Sequence, residues 1–188
     1  ANNFGIATHN ELFNKATFGN YEMGSTFKLL NSAIALDSGK VSLYDEFEVN
    51  KPLFIGRHRV KDFKPLQKQA NLSEILIKSS NIGSALIAQA VGSDIQKKYM
   101  DQLGLTSKPV FPIPEVASPQ FNKKWPKSTS MTAAYGHGIA VSPIQLATAI
   151  GTIMNGGKYI APKLIKDNQN TTFSRKVFKA ETSSILKT

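Results

Sequence analysis

Polar and apolar positions fall into a few clear blocks along this chain. From Ser25 to Leu36 (STFKLLNSAIAL) the one charged residue is Lys28. A helix that is apolar nearly all round belongs in the middle of a domain. Asp37-Ser38-Gly39 closes it, with Gly39 placed for the left-handed turn beyond a helix end. Upstream, residues 11–17 (ELFNKAT) predict a short helix, and Gly19 and Gly24 flank the approach to Ser25. Val41 to Val49 alternates in part, as a strand does, and residues 51–65 mix proline, glycine and charge as a surface excursion does. Asn71-Leu72-Ser73-Glu74 has the spacing of a capping box and opens a short helix that breaks at Ser79-Ser80-Asn81. A second helix runs from about Ile82 to Val91, and Ser93-Asp94 opens a third that ends near Leu103-Gly104. Residues 105–130 hold five of the nine prolines and predict a long irregular connection of a kind that often carries function. Ser142-Pro143-Ile144-Gln145 combines a capping box with proline at the first helical position, and Asn155-Gly156-Gly157 stops that helix. Lys158 to Ile165 predicts a strand, with Pro162 marking a sheet edge, and a last helix starts at Ala180.

Composition narrows the class. With 188 residues and 41% hydrophobic content the chain suits one domain with a sizeable core and excludes a disordered tail. No cysteine is present, so there is neither a disulfide framework nor a thiolate zinc site. No apolar run is long enough to span a bilayer, and the first residues lack the basic start and apolar core of a signal peptide. The net charge of +10 raises nucleic acid as a partner. The lysines, however, are spread from Lys15 to Lys187 without an arginine-rich run, which reads as a solvated basic surface and no nucleic-acid partner.

Candidate chemistry centres on the apolar helix. Ser25 and Lys28 are three apart and so share one helical face. Burial lowers the pKa of an ammonium, so a buried lysine becomes a base towards a neighbouring hydroxyl. Ser25 also lies at the helix start, where unpaired N–H groups favour developing negative charge. Taken alone, serine three before lysine is an ordinary N-cap beside a snorkelling side chain. His9, His58 and His137 show no ligand spacing, so no metal is assigned, and Trp125 and His137 read as packing or turn residues.

The wider context changes that picture. Tyr21-Glu22-Met23-Gly24-Ser25-Thr26-Phe27-Lys28 resembles the active-site segment of class B penicillin-binding proteins, the serine transpeptidases that cross-link peptidoglycan; Met23 stands where the family usually has proline. Glu11-Leu12-Phe13-Asn14-Lys15-Ala16 resembles the family's lead-in to the nucleophile. Ser79-Ser80-Asn81 matches its Ser-x-Asn motif in order and spacing. Tyr135-Gly136-His137-Gly138-Ile139-Ala140-Val141-Ser142-Pro143-Ile144-Gln145-Leu146 and Asn155-Gly156-Gly157 are similar to two further passages.

The resemblance implies an α/β, helix-rich fold of the serine transpeptidase and β-lactamase kind, here mainly its helical part with an incomplete antiparallel sheet. It implies Ser25 as nucleophile and Lys28 as general base. Ser79 would relay the proton, and Asn81 would hydrogen-bond both Lys28 and the donor peptide, so that all four converge on the Ser25 hydroxyl. No cofactor is implied. Implied partners are peptidoglycan stem peptides, β-lactams and, through the full-length protein, division or elongation membrane proteins at the periplasmic face of the bacterial inner membrane. The third family motif, Lys-Thr-Gly or Lys-Ser-Gly, does not occur. Residues 1–188 are therefore expected to be part of a transpeptidase domain without its C-terminal strands, pedestal and anchor, inactive or weakly active alone. A β-lactamase-like hydrolase shares the first motif, although Glu11-Leu12-Phe13-Asn14 and Gly136-His137-Gly138 match the transpeptidases better. A non-catalytic penicillin sensor or interaction module on the same fold is the other alternative.

Overall fold

The computed structural model describes residues 12–165 and 173–187. Its centre is helix α1, Phe27–Asp37, entered through a single 3-10 turn at Gly24–Thr26. Phe27, Leu30, Ala33 and Ile34 are fully buried, as an apolar sequence around the whole circumference requires. After α1 come strands β2 (Glu46–Phe47), β3 (Leu53–Ile55), β4 (His58–Val60) and β5 (Ala70–Asn71), then helices α2 (Leu72–Ile77), α3 (Asn81–Val91) and α4 (Ser93–Gln102). The chain continues through β6 (Gln120–Phe121), α5 (Lys127–Ala133), β7 (Ile139–Val141), α6 (Pro143–Met154), β8 (Lys158–Ile160), β9 (Ser174–Lys176) and α7 (Ala180–Ile185). Helices α2, α3, α4, α6 and α7 all pack on α1.

The sheets are small and antiparallel. The largest has the order β1-β7-β6, where β1 is Tyr21–Glu22, and its register sets Tyr21 opposite Val141 and Gln120 opposite Ala140. The other pairs are β2 with β5, β3 with β4, and β8 with β9.

Local chemistry explains the element ends. Asn71 and Glu74 form a reciprocal capping box at α2, as do Ser142 and Gln145 at α6, where Pro143 takes the first helical position. Gly39 has φ +67° beyond α1. Asp37 at the end of α1 accepts hydrogen bonds from the Tyr99 hydroxyl at 2.7 Å, the Lys179 N–H at 2.6 Å and the Thr182 hydroxyl at 2.8 Å. The central helix is thereby tied to the start of α7.

Several expectations need correction. Residues 51–65 are mostly exposed, as a surface excursion should be, but are ordered as the β3–β4 hairpin, and 105–130 contain β6 and the start of α5. The strand at Lys158 ends at Ile160, before Pro162, and pairs with β9. Only Glu46 and Phe47 of the 41–49 stretch are in a strand. The helix predicted over 11–17 falls partly outside the described residues; from Asn14 the chain is a turn, with the Phe18 and Gly19 N–H groups both donating to the Asn14 carbonyl.

Candidate active site

Each residue of Ser79-Ser80-Asn81 has a separate structural task between α2 and α3. Ser79 is the left-handed residue just past the end of α2, with φ +54°. Its N–H donates to Leu76 O and the Ser80 N–H to Ile75 O, the paired bonds of a Schellman ending, where glycine is usual. A serine there costs backbone strain of order 1–3 kcal/mol that the surroundings must hold. Ser80 is the N-cap of α3 and accepts from the Gly83 N–H at 2.8 Å. Asn81 is the first residue of α3.

The left-handed turn brings Ser79 against the start of α1. Ser79 Oγ lies 3.2 Å from Ser25 Oγ and 2.8 Å from Lys28 Nζ. Lys28 Nζ also donates to the Ser79 carbonyl at 2.5 Å. Ser25 is exposed, while Lys28, one turn on, is only 2% exposed. Three of the four expected residues thus form one hydrogen-bonded chain, Ser25–Ser79–Lys28. The expected bond from Asn81 to Lys28 is not among those formed: the Asn81 amide donates instead to the Lys61 carbonyl at 2.8 Å.

Burial lowers the Lys28 pKa from the usual lysine range, and the negative charge of Asp62 opposes that shift. A carboxylate beside a partly desolvated amine favours its charged form. Asp62 does more than this. Its carboxylate accepts from the Ser80 hydroxyl at 2.7 Å, the Asn81 N–H at 2.5 Å and the Ile82 N–H at 3.0 Å. It therefore caps α3 from a distant stretch of chain and holds the Ser79–Asn81 turn in place. Sequence reading missed Asp62, since it lies in an irregular basic stretch 18 residues before Ser80.

The passage around Gly136 forms the other side of the site. Gly24 has φ +56° and Gly136 has φ +80°, and the Gly24 N–H points to the Gly136 carbonyl at 3.4 Å. A Cβ on Gly136 would lie 2.1 Å from the Gly24 oxygen. The Gly138 N–H donates to the Glu22 carboxylate at 2.8 Å. The turn carrying Ser25 is therefore clamped by residues more than a hundred positions later. His137 sits in that same turn, exposed, with its ring 5.3 Å from the Tyr135 ring. Trp125 has φ +46°, is 3% exposed and donates from Nε1 to Gln96 at 3.0 Å, a packed residue far along the chain from Ser25. His58 is exposed on β4, and His9 lies outside the described residues. Among the described residues no group of three or more His, Cys, Asp or Glu side chains could hold a metal ion.

The two contributions of Asp62 separate by substitution. Asp62→Asn keeps an acceptor for the α3 N–H groups and removes the charge, so the Lys28 pKa falls further and the acid limb of any Lys28-dependent rate moves to lower pH. Asp62→Ala also uncaps α3 and costs about 0.5–2 kcal/mol of stability. Melting curves and a pH–rate profile of serine acylation for both variants check this. An unmoved acid limb in Asp62→Asn would show that its charge does not reach Lys28.

The arrangement offers a hydroxyl at a helix start, a second hydroxyl in contact with it and a desolvated amine behind both. These are the parts of an activated serine nucleophile. Comparison with known proteins identifies the family. The family model for the penicillin binding protein transpeptidase domain matches residues 2–188. A protein of Caulobacter vibrioides described as a probable peptidoglycan D,D-transpeptidase FtsI is 37% identical over 158 residues, covering 84% of this chain and 27% of that protein. A probable peptidoglycan D,D-transpeptidase PenA of Neisseria flavescens is 29% identical over 181 residues, 95% of this chain and 44% of that one. Among solved structures, the transpeptidase domain of Burkholderia pseudomallei penicillin-binding protein 3 superposes with a TM-score of 0.84 at 25% identity, over 92% of this chain and 53% of that one. The chain spans about a quarter of the length of the first relatives it matches (27% and 24%). On the family match over nearly its whole length, this chain belongs to the penicillin-binding protein transpeptidase domain family.

Proposed function

We propose that this chain carries the nucleophile half of a class B peptidoglycan D,D-transpeptidase active site. The observation that carries the reading is the Ser25–Ser79–Lys28 hydrogen-bonded chain, with links of 3.2 and 2.8 Å. In this reading Lys28, in its neutral form, draws the Ser25 proton through the Ser79 hydroxyl. Both hydroxyls can reorient to pass a proton along, since each donates and accepts. Ser25 Oγ attacks the penultimate D-alanine carbonyl of a stem peptide, the terminal D-alanine leaves with that proton, and an amine of a neighbouring stem resolves the ester. The Ser25 N–H, in the first turn of the helix, is one oxyanion donor. Asn81, anchored by Lys61 and Asp62, lines the donor path. The complete protein acts at the bacterial cell envelope, on the periplasmic side of the inner membrane, alongside division or elongation proteins. β-Lactams acylate the same serine.

Incubating the complete protein with benzylpenicillin and following its mass tests this. A long-lived adduct on Ser25 is the expected result. Fast loss of the adduct with accumulating hydrolysed drug would favour a β-lactamase-like hydrolase, and no adduct at all would leave a non-catalytic module.

A further inference from the structure

Helix α1 buries a polar side chain one turn beyond Lys28. Asn31, three residues on and so on the same side of the helix, is 1% exposed in the apolar middle of α1. Its Nδ2 donates to the Ser84 carbonyl of α3 at 3.1 Å, a bond buried between the two helices. Ser84, also buried, donates from Oγ to the Ser80 carbonyl at 2.7 Å. Ser80 stands between Ser79 and Asn81, and its own Oγ accepts from the Gly83 N–H and donates to Asp62. A polar path therefore runs Asn31–Ser84–Ser80 from α1 to the turn that holds Ser79.

Stability does not account for Asn31. Its Oδ1 is buried and has no donor among the described residues, and a buried oxygen left unpaired destabilises a fold. The Ser84 carbonyl lies inside α3, where the helix's own N–H four residues later is its regular donor. An apolar side chain of similar size at position 31 would remove the unpaired oxygen and orphan no other group. Departures of this kind from the stable choice concentrate where function needs them.

What the amide supplies is register. Apolar packing between helices has no directional preference, whereas a hydrogen bond has one. Lys28 joins α1 to Ser79, and Asn31 joins α1 to Ser84 about one helical turn further along. Two such links fix how far α3 can slide along α1, and with it the place of Ser79 over Ser25. We infer that Asn31 and Ser84 are positioning residues that hold the Ser79 hydroxyl within reach of both Ser25 and Lys28. The inference rests on the transpeptidase reading above and adds to it the support of its proton path.

The test acylates the complete protein with benzylpenicillin at a series of concentrations. Wild type, Asn31→Leu and Ser84→Ala are each measured with Ser79 present and in a Ser79→Ala background. The acylation rate at saturation and the half-saturating concentration are read separately, alongside the melting temperature. Asn31→Leu should slow saturated acylation by about 10- to 100-fold, up to the cost of a misplacement near 1 Å. Its half-saturation should stay put, and its melting temperature should be unchanged or higher. Ser84→Ala, which removes one hydroxyl and keeps the helix, should slow acylation by about 2- to 10-fold, the worth of one hydrogen bond, and it decides the matter if Asn31→Leu does not fold. In the Ser79→Ala background both losses should shrink to within about twofold, because these residues act through that hydroxyl. Equal losses in the two backgrounds, or full acylation rates with Ser79 present, would overturn the positioning role while Ser25 still reacts. If wild type forms no adduct at Ser25, the transpeptidase reading itself fails, and the positioning role with it.

Discussion

Ser25→Ala should eliminate acylation of the complete protein by a fluorescent penicillin, and Lys28→Arg should slow it by about 10²–10⁴, the usual contribution of a positioned general base. Arginine keeps the positive charge but does not deprotonate in proteins, so the substitution separates a base from an electrostatic post. The wild-type rate should rise with pH as Lys28 loses its proton. That rise should come below the usual lysine range, because burial lowers the Lys28 pKa. In Lys28→Arg the same limb should be absent. A time course of labelling from pH 6 to pH 10 reads both effects. Acylation of Lys28→Arg within about twofold of wild type, far short of that expected loss, would remove Lys28 from the proton path and leave Ser79 to be activated by another group.

Gly136→Ala is expected to damage the site from outside it. The new methyl would sit 2.1 Å from the Gly24 oxygen and 2.5 Å from the Gly24 nitrogen, at a residue whose φ is +80°. Left-handed backbone costs a non-glycine residue about 1–2 kcal/mol, and forcing extra atoms into packed space costs about 1–3 more. The atoms that must yield are backbone, one residue before Ser25. A displacement near 1 Å at a reacting group costs about 10² in rate, so acylation should fall by that order while stability falls by about 2–5 kcal/mol. Gly156→Ala is the control. Gly156 has φ +63° with nothing within 4 Å of a Cβ, so it should show the backbone cost and keep its acylation rate. Equal acylation losses in both variants would mean that general destabilisation, and not the Gly24 contact, governs the site.

What the sequence discloses and what it conceals follow from the range of the interactions. The ends of α1, α2 and α6 are written within four residues, by Gly39, by Asn71 with Glu74 and by Ser142 with Gln145. Local chemistry of that kind is legible without a fold. Helix α5 was not legible, because Lys127-Ser128-Thr129-Ser130 has low helix propensity and is held by burial of Thr129, Ser130, Met131 and Ala133. The β3–β4 hairpin was hidden for a related reason: its strands are three residues long, and Phe54 and His58 break the alternation by facing solvent. In the site, Ser25, Lys28 and Ser79 were legible through the resemblance. Asp62 and the clamp at Gly136 were not, since their partners are brought near only by the folded chain. For Asn81, the contact carried over to Lys28 is not among those formed, because its Nδ2 donates to the Lys61 carbonyl instead.

The two-ended fastening of α1 also sets an order of events during synthesis. Gly24 waits for Gly136, and Asp37 waits for Lys179 and Thr182, which lie 142 and 145 positions later. On a ribosome adding about 5–20 residues per second, the serine turn emerges roughly 5–20 s before the glycine that holds it. Through that interval the buried central helix has neither of its fastenings. Incomplete chains are therefore expected to hand this helix to a holdase, and reactivity of Ser25 should appear only once the Gly136 segment is present to fold against it.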